Sequence, residues 1–292
     1  MYVLLSGRFP MHPDSNSCDF DVTDPAEPFV SIVTVSLNAE ATIEDTIASV
    51  SMQQTGFAVE HICVDGGSTD ATRALIDRWA ARSDRMVRVY EPDSGIYDAM
   101  NKGLRAARGE YVLFLNADDF LVAPDTLATA LANLSPGASG NPDLIVGNVS
   151  MGKLGLRGVW RRRRVPRLLG RLRGCGLYPL HQGQLTKRRL LNAIGGFNAR
   201  LRYSSDVIQY YDLERRFRPS MRFVGADIAF MRAGGMANSG WKARYRATAE
   251  FYEHLASTYS PLRAAVMVSV KTLQSLMEMR WGRCPHERWF AA

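Results

Sequence analysis

The alternation of short apolar runs with helical periodicity, from about Phe29 to Val149, constrains the fold more than any other feature of this chain. The first run, V-S-I-V-T-V-S-L at residues 30–37, is continuous and rich in β-branched residues, which is typical of a buried strand. Strands that alternate with helices of about 10 to 15 residues form a parallel sheet, and helices cover both of its faces. We therefore predict an α/β fold built on a mostly parallel sheet.

The same pattern predicts the order of the elements. The expected strands are 30–37, 59–64, 86–90, 111–115 and 144–149, and the later expected helices are 185–194, 206–217, 241–259 and 261–281. Thr42, and either Ser68 or Thr69, are expected to cap the first two helices. The chain then divides into an irregular N-terminal segment (1–28), two halves of one domain (29–150 and 151–240) and C-terminal amphipathic helices (241–292).

Acidic residues follow three of the predicted strands, and they are Asp65, Glu91, Asp93, Asp118 and Asp119. In a parallel sheet the carboxyl ends of the strands meet at the edge where ligands bind. Carboxylates gathered at one edge repel each other unless a cation or hydrogen-bond donors lie between them. The sequence therefore predicts a cation site at this edge.

The tetrad Asn116-Ala-Asp-Asp119 follows the apolar run Y-V-L-F-L. Carboxylate oxygens suit Mg²⁺ or Mn²⁺, and such ions are often held by one or two carboxylates together with substrate phosphates. A diphosphate leaving group needs this neutralisation, because negative charge accumulates on it. The alternative interpretation is a polar turn in which an aspartate caps the helix expected after Pro124.

The net charge of +7 is unevenly distributed. Between Asp143 and Asp206 there are 14 Lys and Arg and no acidic residue, whereas the remainder carries 22 basic against 29 acidic residues. The densest part is 157–173, with four consecutive arginines at 161–164. Such a run is usually a solvated surface, but its place between apolar segments favours an anionic partner: nucleic acid, lipid head groups or a phosphorylated acceptor.

Composition excludes several other classes of protein. A content of 46% hydrophobic and 22% charged residues is that of a folded protein, and no apolar stretch is long enough for a spanning helix. The start lacks a basic leader, so no secretory signal is expected. The cysteines are widely spaced, which favours reduced thiols in a cytosolic protein over a disulfide framework or a zinc site. They are Cys18, Cys63, Cys175 and Cys284.

Three motifs resemble the family 2 glycosyltransferases in order and spacing: the strand at 31–38, D-G-G-S-T-D at 65–70, and E-P-D-S-G-I-Y-D-A-M-N-K-G at 91–103. The third is similar to the branch of colanic-acid-type exopolysaccharide transferases, and the resemblance extends over about 29–240. It implies a GT-A fold with a Rossmann-like sheet, a nucleotide-diphosphate sugar donor, Mn²⁺ or Mg²⁺, and inversion at the anomeric carbon. The half 29–150 would then bind the donor and 151–240 the acceptor.

The resemblance also assigns roles to residues of this sequence. The donor-binding residues that it implies are Val35, Ser36, Asn38, Asp65 and Asp118. Asp119 would ligate the metal. Many members of the family have a second aspartate, which often binds the base, where this chain has Gly66. Asp65 is expected to contact the nucleobase of the donor instead. Whether that nucleobase is uracil, guanine or thymine stays open.

The general base of this family is an acidic residue near a helix start after the sheet domain. Asp206, in Y-S-S-D, matches that position and is the first carboxylate after the acid-free stretch. Surrounding positive charge should keep it ionised. Asp212 is the second candidate for the base, and an N-cap role is the alternative for Asp206.

Three further residues are weaker candidates for the acceptor site or a mobile loop: His181, Gln182 and Gly235. His181 could orient the acceptor, although a histidine in this setting is as often structural. Gly234-Gly235 resembles the glycine pair of a loop that can cover the donor. A plain turn explains it nearly as well.

The acceptors that this branch implies are sugars on a polyprenyl diphosphate, so a cytoplasmic protein at the inner face of the membrane is expected. The last helix fits this interpretation if its apolar residues lie on a membrane surface, and core packing is the alternative. No nucleic acid partner is expected. The rival functions are a nucleotidyltransferase, which would need a glycine-rich loop that 36–40 lacks, and a non-catalytic sugar-nucleotide-binding protein.

Overall fold

The computed structural model describes residues 27–152, 160–163, 177–232 and 241–277, with side chains described throughout except at 160–163 and 274–277. All but the last two residues of the predicted N-terminal segment, 1–28, lie outside this part of the chain.

One mixed sheet unites the two halves of the domain. Its strands are β1 (Val30–Ser36), β2 (Val59–Asp65), β3 (Met86–Tyr90), β4 (Tyr111–Phe114), β5 (Phe120–Leu121), β6 (Leu144–Gly152), β7 (Trp160–Arg163), β8 (Gln184–Lys187) and β9 (Met221–Arg232). The order is β3-β2-β1-β4-β8-β6-β9-β5, and β7 pairs with β6. The strands β3, β2, β1 and β4 run parallel, whereas β8 is antiparallel to both β4 and β6.

Helices cover the sheet on both faces, as the alternation predicts. They are α1 (Ile43–Ser51), α2 (Thr72–Ala80), α3 (Ile96–Ala106), α4 (Thr126–Ala130), α5 (Arg188–Ile194), α6 (Ser205–Phe217), α7 (Trp241–Thr258) and α8 (Pro261–Met277), and a 3-10 turn occupies His181–Gly183. Ile32 and Val33, adjacent in β1, belong to two different core clusters. The strand is therefore buried on both sides, which explains its continuous apolar run.

Two details of the expected elements are wrong. The segment 185–194 was expected to be one helix, but its first three residues belong to β8, because β4 and β6 pair with this segment from both sides. The helix α2 begins at Thr72 with Ala71 at the N-cap position. Thr42 does occupy the N-cap position of α1, as predicted, but its side chain makes no capping hydrogen bond. Ser68 does not cap α2, because its hydroxyl donates to the buried carboxylate of Asp65.

The helix α3 lies unusually close to the sheet. A Cβ atom at Gly103 would lie 2.2 Å from Cγ1 of Val33 in β1. Only glycine permits this approach without displacement of the strand or the helix. The close packing fixes the N-terminal end of α3, where Tyr97 lies, relative to the ends of the parallel strands.

The helices α7 and α8 pack on the second half of the sheet through Phe251, Ala264 and Met267. On α8 the residues Leu262 and Val266 point away from this core and are exposed. Within the described ranges, none of the helices is long and apolar enough to span a membrane.

Candidate active site

Asp65 ends β2 and is fully buried. Its Oδ1 accepts hydrogen bonds from the backbone N–H groups of Gly67 (3.1 Å) and Ser68 (2.9 Å) and from Nε of Arg73 (2.7 Å). Burial would raise the pKa of Asp65, but the hydrogen bonds from Ser68 and Arg73 outweigh it and lower the pKa below its usual value. The carboxylate is therefore ionised and holds the loop after β2 in shape.

The other residues expected in the nucleoside pocket lie beside Asp65. Val35 and Ser36 are in register with Val64 and Asp65 across the β1–β2 pair. Asn38 has φ of 51°, and its Oδ1 accepts a 2.9 Å hydrogen bond from the backbone N–H of Thr69. The structure thus brings the expected donor-binding residues of β1 and β2 together around one loop.

Gly66, the position where the sequence departs from the family pattern, lies beside Asp93. A Cβ atom at Gly66 would lie 1.9 Å from Oδ2 of Asp93. The carboxylate of Asp93, which follows β3, therefore occupies the space that a side chain at position 66 would take. An acidic group is still present next to Asp65, but it comes from the segment after the neighbouring strand β3.

Asp119 is buried beyond the end of β4, and protein groups bond to both of its oxygens. Its Oδ2 accepts from Nε2 of Gln182 (3.0 Å) and Nδ2 of Asn116 (3.3 Å), and its Oδ1 from the backbone N–H of Arg232 (3.2 Å). Burial, and then the charge of Asp118, raise the pKa of Asp119 to about 7. Burial also raises the pKa of Asp118. Two carboxylates are thus held together without enough positive charge to balance them.

The pair fits a divalent cation in part. Among the described residues no group of three or more His, Cys, Asp or Glu side chains could hold a metal ion. Asp118 and Asp119 nevertheless offer hard oxygen ligands, and Mg²⁺ or Mn²⁺ commonly takes its remaining ligands from phosphates and water. Near the pair, Oδ1 of Asn116, Oε1 of Gln182 and Nε of Arg232 are buried without a hydrogen-bond partner in the described part of the chain. Such atoms are usually satisfied by water or a ligand.

Asp206 lies in the first turn of α6, and two side chains from other elements hold it. The hydroxyl of Tyr97 donates a 3.0 Å hydrogen bond to its Oδ1, and Nδ1 of His181 lies 3.1 Å from its Oδ2. Burial would raise the pKa of Asp206, but the hydrogen bond and charge of His181, together with Tyr97, lower it. The N-cap position of α6 belongs to Ser204, so Asp206 is not the capping residue.

His181 and Gln182 link the carboxylate of Asp206 to that of Asp119. These consecutive residues form the 3-10 turn before β8, and they contact Asp206 and Asp119 respectively. Asp212, the second candidate for the base, instead lies 3.4 Å from Nε2 of His254 in α7. Gly235 and the arginines at 164–173 lie outside the described residues, and Arg161–Arg163 form part of β7.

A comparison with protein families identifies the family of this chain. The profile described as Glycosyl transferase family 2 matches residues 31–208, more than half of the chain. The chain belongs to glycosyltransferase family 2. As a family 2 glycosyltransferase it is an enzyme, and the predicted family is confirmed.

Three similar proteins illustrate the relationship. A PGL/p-HBAD biosynthesis glycosyltransferase of Mycobacterium bovis is 36% identical over 184 residues, which are 62% of this chain and 68% of the relative. The structure of Staphylococcus aureus TarS 1-349 with UDP-GlcNAc gives a TM-score of 0.59 at 17% identity, covering 85% of this chain and 72% of the other. The Pyrobaculum calidifontis mannosyltransferase with GDP-Man and Mn²⁺ gives 0.54 at 22%, covering 91% and 79%. These structures confirm the predicted GT-A fold.

Sequence reasoning missed two residues of this candidate site. Arg232 ends β9, donates its backbone N–H to Asp119 and forms an ion pair with Asp45. No local pattern marks a pair that is 187 positions apart. Tyr97 lies within the motif at 91–103, but its contact with Asp206 joins positions that are 109 apart.

Proposed function

We propose that this family 2 glycosyltransferase transfers a sugar, with inversion, from a nucleotide-diphosphate donor to a glycan acceptor of a cell-surface glycolipid or polysaccharide. One observation carries the proposal: the adjacent residues His181 and Gln182 contact Asp206 and Asp119. One short turn therefore links Asp206, which would act on the acceptor hydroxyl, to Asp119, which would act on the leaving diphosphate through a metal ion.

On the donor side, Val35, Ser36, Asn38 and Asp65 would surround the nucleoside, and Asp118 would face the ribose or diphosphate. Asp119 would ligate Mn²⁺ or Mg²⁺, in line with its raised pKa in the absence of a cation. A bound cation neutralises the charge that accumulates on a leaving diphosphate. One of the two similar structures contains UDP-GlcNAc and the other contains GDP-Man and Mn²⁺, which supports this class of donor and cofactor.

On the acceptor side, we assign Asp206 as the centre that accepts the proton of the acceptor hydroxyl. A single displacement with inversion needs one such group, opposite the leaving diphosphate. His181 and Gln182 would shape the acceptor pocket, and Gly235 would belong to a covering loop. Residues 29–150 would thus form the donor half and 151–240 the acceptor half.

The acceptor that we propose is lipid-linked, at the cytoplasmic face of the membrane. The outer face of α8 exposes Leu262, Val266 and Leu273, whose spacing places them on one side of the helix. The exposed start of α7 adds aromatic and basic side chains, and these are Trp241, Lys242, Arg244, Tyr245 and Arg246. Such a surface suits an anionic bilayer. The mycobacterial relative is named for PGL/p-HBAD biosynthesis, so the colanic-acid-type branch is one candidate among pathways of cell-surface glycans.

A panel of UDP-, GDP- and dTDP-sugars with Mn²⁺ or Mg²⁺, read by nucleotide release and thermal shift, tests the proposal. One donor should give metal-dependent release of nucleoside diphosphate, and Asp119→Ala should lose Mn²⁺-dependent donor binding in calorimetry. Formation of a nucleoside triphosphate and a sugar 1-phosphate when pyrophosphate is added would instead indicate a nucleotidyltransferase. A thermal shift without any release, in the presence of alkyl glycoside acceptors, would indicate a non-catalytic binding protein.

A further inference from the structure

We infer that Glu250 of α7 is a positioning residue for the reaction: its carboxylate holds the backbone in front of α6 and thereby places Asp206 against the acceptor hydroxyl. This inference rests on the proposed function, in which Asp206 accepts the proton of that hydroxyl. It extends the acceptor half beyond residue 240, because α7 (Trp241–Thr258) supplies the residue.

The carboxylate of Glu250 bonds to two consecutive backbone groups. Its Oε1 accepts a 3.1 Å hydrogen bond from the N–H of Arg202, and its Oε2 accepts a 2.9 Å hydrogen bond from the N–H of Tyr203. Asp206 follows Tyr203 by three residues. The segment before α6 is therefore held by a side chain that lies 47 positions further along the chain.

A second contact joins α7 to the beginning of α6. Ser204 is the N-cap residue of α6, but its hydroxyl does not cap the helix. It donates a 2.6 Å hydrogen bond to the carbonyl oxygen of Ala247 instead. Ala247 and Glu250 are three positions apart in α7, so they lie on the same face of that helix. One face of α7 therefore holds three consecutive residues of the chain: Arg202, Tyr203 and Ser204.

The hydrophobic core holds the same two helices together further along. Tyr211 of α6 packs against Phe251 of α7, with ring centroids 5.5 Å apart, and Phe251 is fully buried. Glu250 therefore extends from a helix that is itself anchored in the core. A carboxylate is also favourable near the N-terminal end of a helix, where unpaired N–H groups give a partial positive charge.

These contacts affect the reaction because Asp206 lies in the first turn of α6. Tyr97 and His181 hold the carboxylate of Asp206, whereas Glu250 and Ala247 hold the chain that leads into its helix. A general base must lie within hydrogen-bond distance of the hydroxyl that it deprotonates. A displacement of about 1 Å can lower the rate about 100-fold. Loss of the Glu250 contacts should therefore slow the transfer step.

The expected donor site is built from other elements. Ser36 and Asp65 end β1 and β2, and Asp119 lies beyond the end of β4. These strands belong to the half 29–150, whereas Glu250 acts on the segment before α6. A positioning role therefore predicts a change in turnover that is separate from donor affinity.

The test compares Glu250→Gln with Glu253→Gln in the full chain, using the donor found in the panel and an alkyl glycoside acceptor. In Glu250→Gln the amide oxygen can accept one backbone N–H, but the NH₂ group faces the other. We expect kcat to fall about 10- to 100-fold, while the dissociation constant of the donor, measured by calorimetry, stays within about twofold. Glu253 is exposed on the same helix, so Glu253→Gln makes the same change in charge and should keep the wild-type kcat.

A double variant separates positioning from a general loss of structure. If Glu250 acts through Asp206, adding Glu250→Gln to Asp206→Asn should lower the residual kcat less than about twofold, because the base is already absent. A further fall as large as that in the single variant would overturn the inference.

An unchanged kcat in Glu250→Gln would also overturn the inference, and so would an equal loss of donor affinity, since α7 would then only stabilise the fold. Should Glu250→Gln fail to fold, as judged by thermal melting, Ser204→Ala replaces it. That variant removes only the bond to Ala247 and should again lower kcat without weakening donor binding. A wild type that releases no nucleotide from any donor contradicts the proposed function, whereas with an active wild type these variants test the role of Glu250 alone.

Discussion

Gln182 donates a 3.0 Å hydrogen bond from Nε2 to Oδ2 of Asp119, and it does so from a turn within the acid-free stretch of the chain. The bond fixes one face of a buried carboxylate while Oε1 of Gln182 keeps no partner among the described residues. Asp119 is thereby oriented before any ligand arrives, which lowers the cost of assembling a metal and diphosphate site.

Gln182→Ala should weaken Mn²⁺-dependent donor binding by about 10- to 100-fold, because groups that orient a metal ligand typically contribute that much to affinity. Calorimetric titration of donor in the presence of Mn²⁺ measures the effect. Gln184→Ala is the matched control, since Gln184 is also buried but bonds to Thr186 instead. Equal losses in the two variants would mean that the turn, and not the contact with Asp119, matters.

Asp119→Asn should change how stability depends on pH in the presence of a chelator. The pKa of Asp119 is raised to about 7 from an ordinary value of 3.8, so the folded state holds a proton that the unfolded chain releases. This contribution is complete below pH 3.8 and is lost as pH rises towards 7. Between pH 5 and pH 8 the wild type should lose about 2 to 3 kcal/mol relative to Asp119→Asn, measured by urea unfolding. Parallel pH profiles of the two proteins would contradict the raised pKa.

Asp206→Asn should bind the donor normally and turn over about 10²- to 10⁴-fold more slowly, the usual range for loss of acid–base catalysis. The amide cannot accept the proton of the acceptor hydroxyl, and it can present its N–H₂ to Nδ1 of His181. Steady-state kinetics and donor calorimetry separate the two effects. Asp212→Asn, on the same helix but near His254, should stay close to wild type. Near-normal turnover of Asp206→Asn would move the base to Asp212 or elsewhere.

Gly103→Ala should lower the free energy of unfolding by about 1 to 3 kcal/mol, because its Cβ would overlap Cγ1 of Val33 and push α3 away from β1. Gly140→Ala is the control, since a Cβ there meets nothing within 4 Å. Denaturant unfolding of both variants measures the difference. A stable Gly103→Ala protein would show that the helix can shift freely, contrary to the packing described.

Binding to vesicles that contain an anionic lipid should fall as salt concentration rises, and it should weaken when Leu262 and Val266 are both changed to Gln. The apolar outer face of α8 would contribute burial in the interface, and nearby basic residues the electrostatic attraction. Flotation measures the bound fraction. Met52→Gln, an exposed apolar residue at the end of α1, is the control. No flotation of the wild type even at low salt would exclude the membrane proposal.

The parallel half of the sheet could be predicted because its strands are buried on both faces. The runs of β1 and β4 are continuous and apolar, so their positions were predicted to within a residue or two. The strand β8, Q-L-T-K, has no such pattern. Pairing with β4 and β6 makes it a strand, and a sequence window does not contain its partners.

The residues of the candidate site could be predicted more fully than the contacts between them. The tetrad at 116–119 and Asp206 were chosen from motif and position, and the structure places them near the same turn at His181–Gly183. The contact of Tyr97 with Asp206 and the ion pair of Arg232 with Asp45 depend on how distant elements pack. The role of Asp119 stays a prediction, and the Asp119→Ala and Asp119→Asn variants test it.

The packing of α3 has a consequence for engineering acceptor specificity by exchange of segments between relatives. Asn101 of α3 exchanges two hydrogen bonds with the backbone of Phe197, and Tyr97 of α3 holds Asp206. A chimera joined near residue 150 would import the proposed acceptor half without the helix against which it packs. The transplantable unit therefore comprises α3 together with the segment from Phe197 to Asp206, although more than 90 residues separate them along the chain.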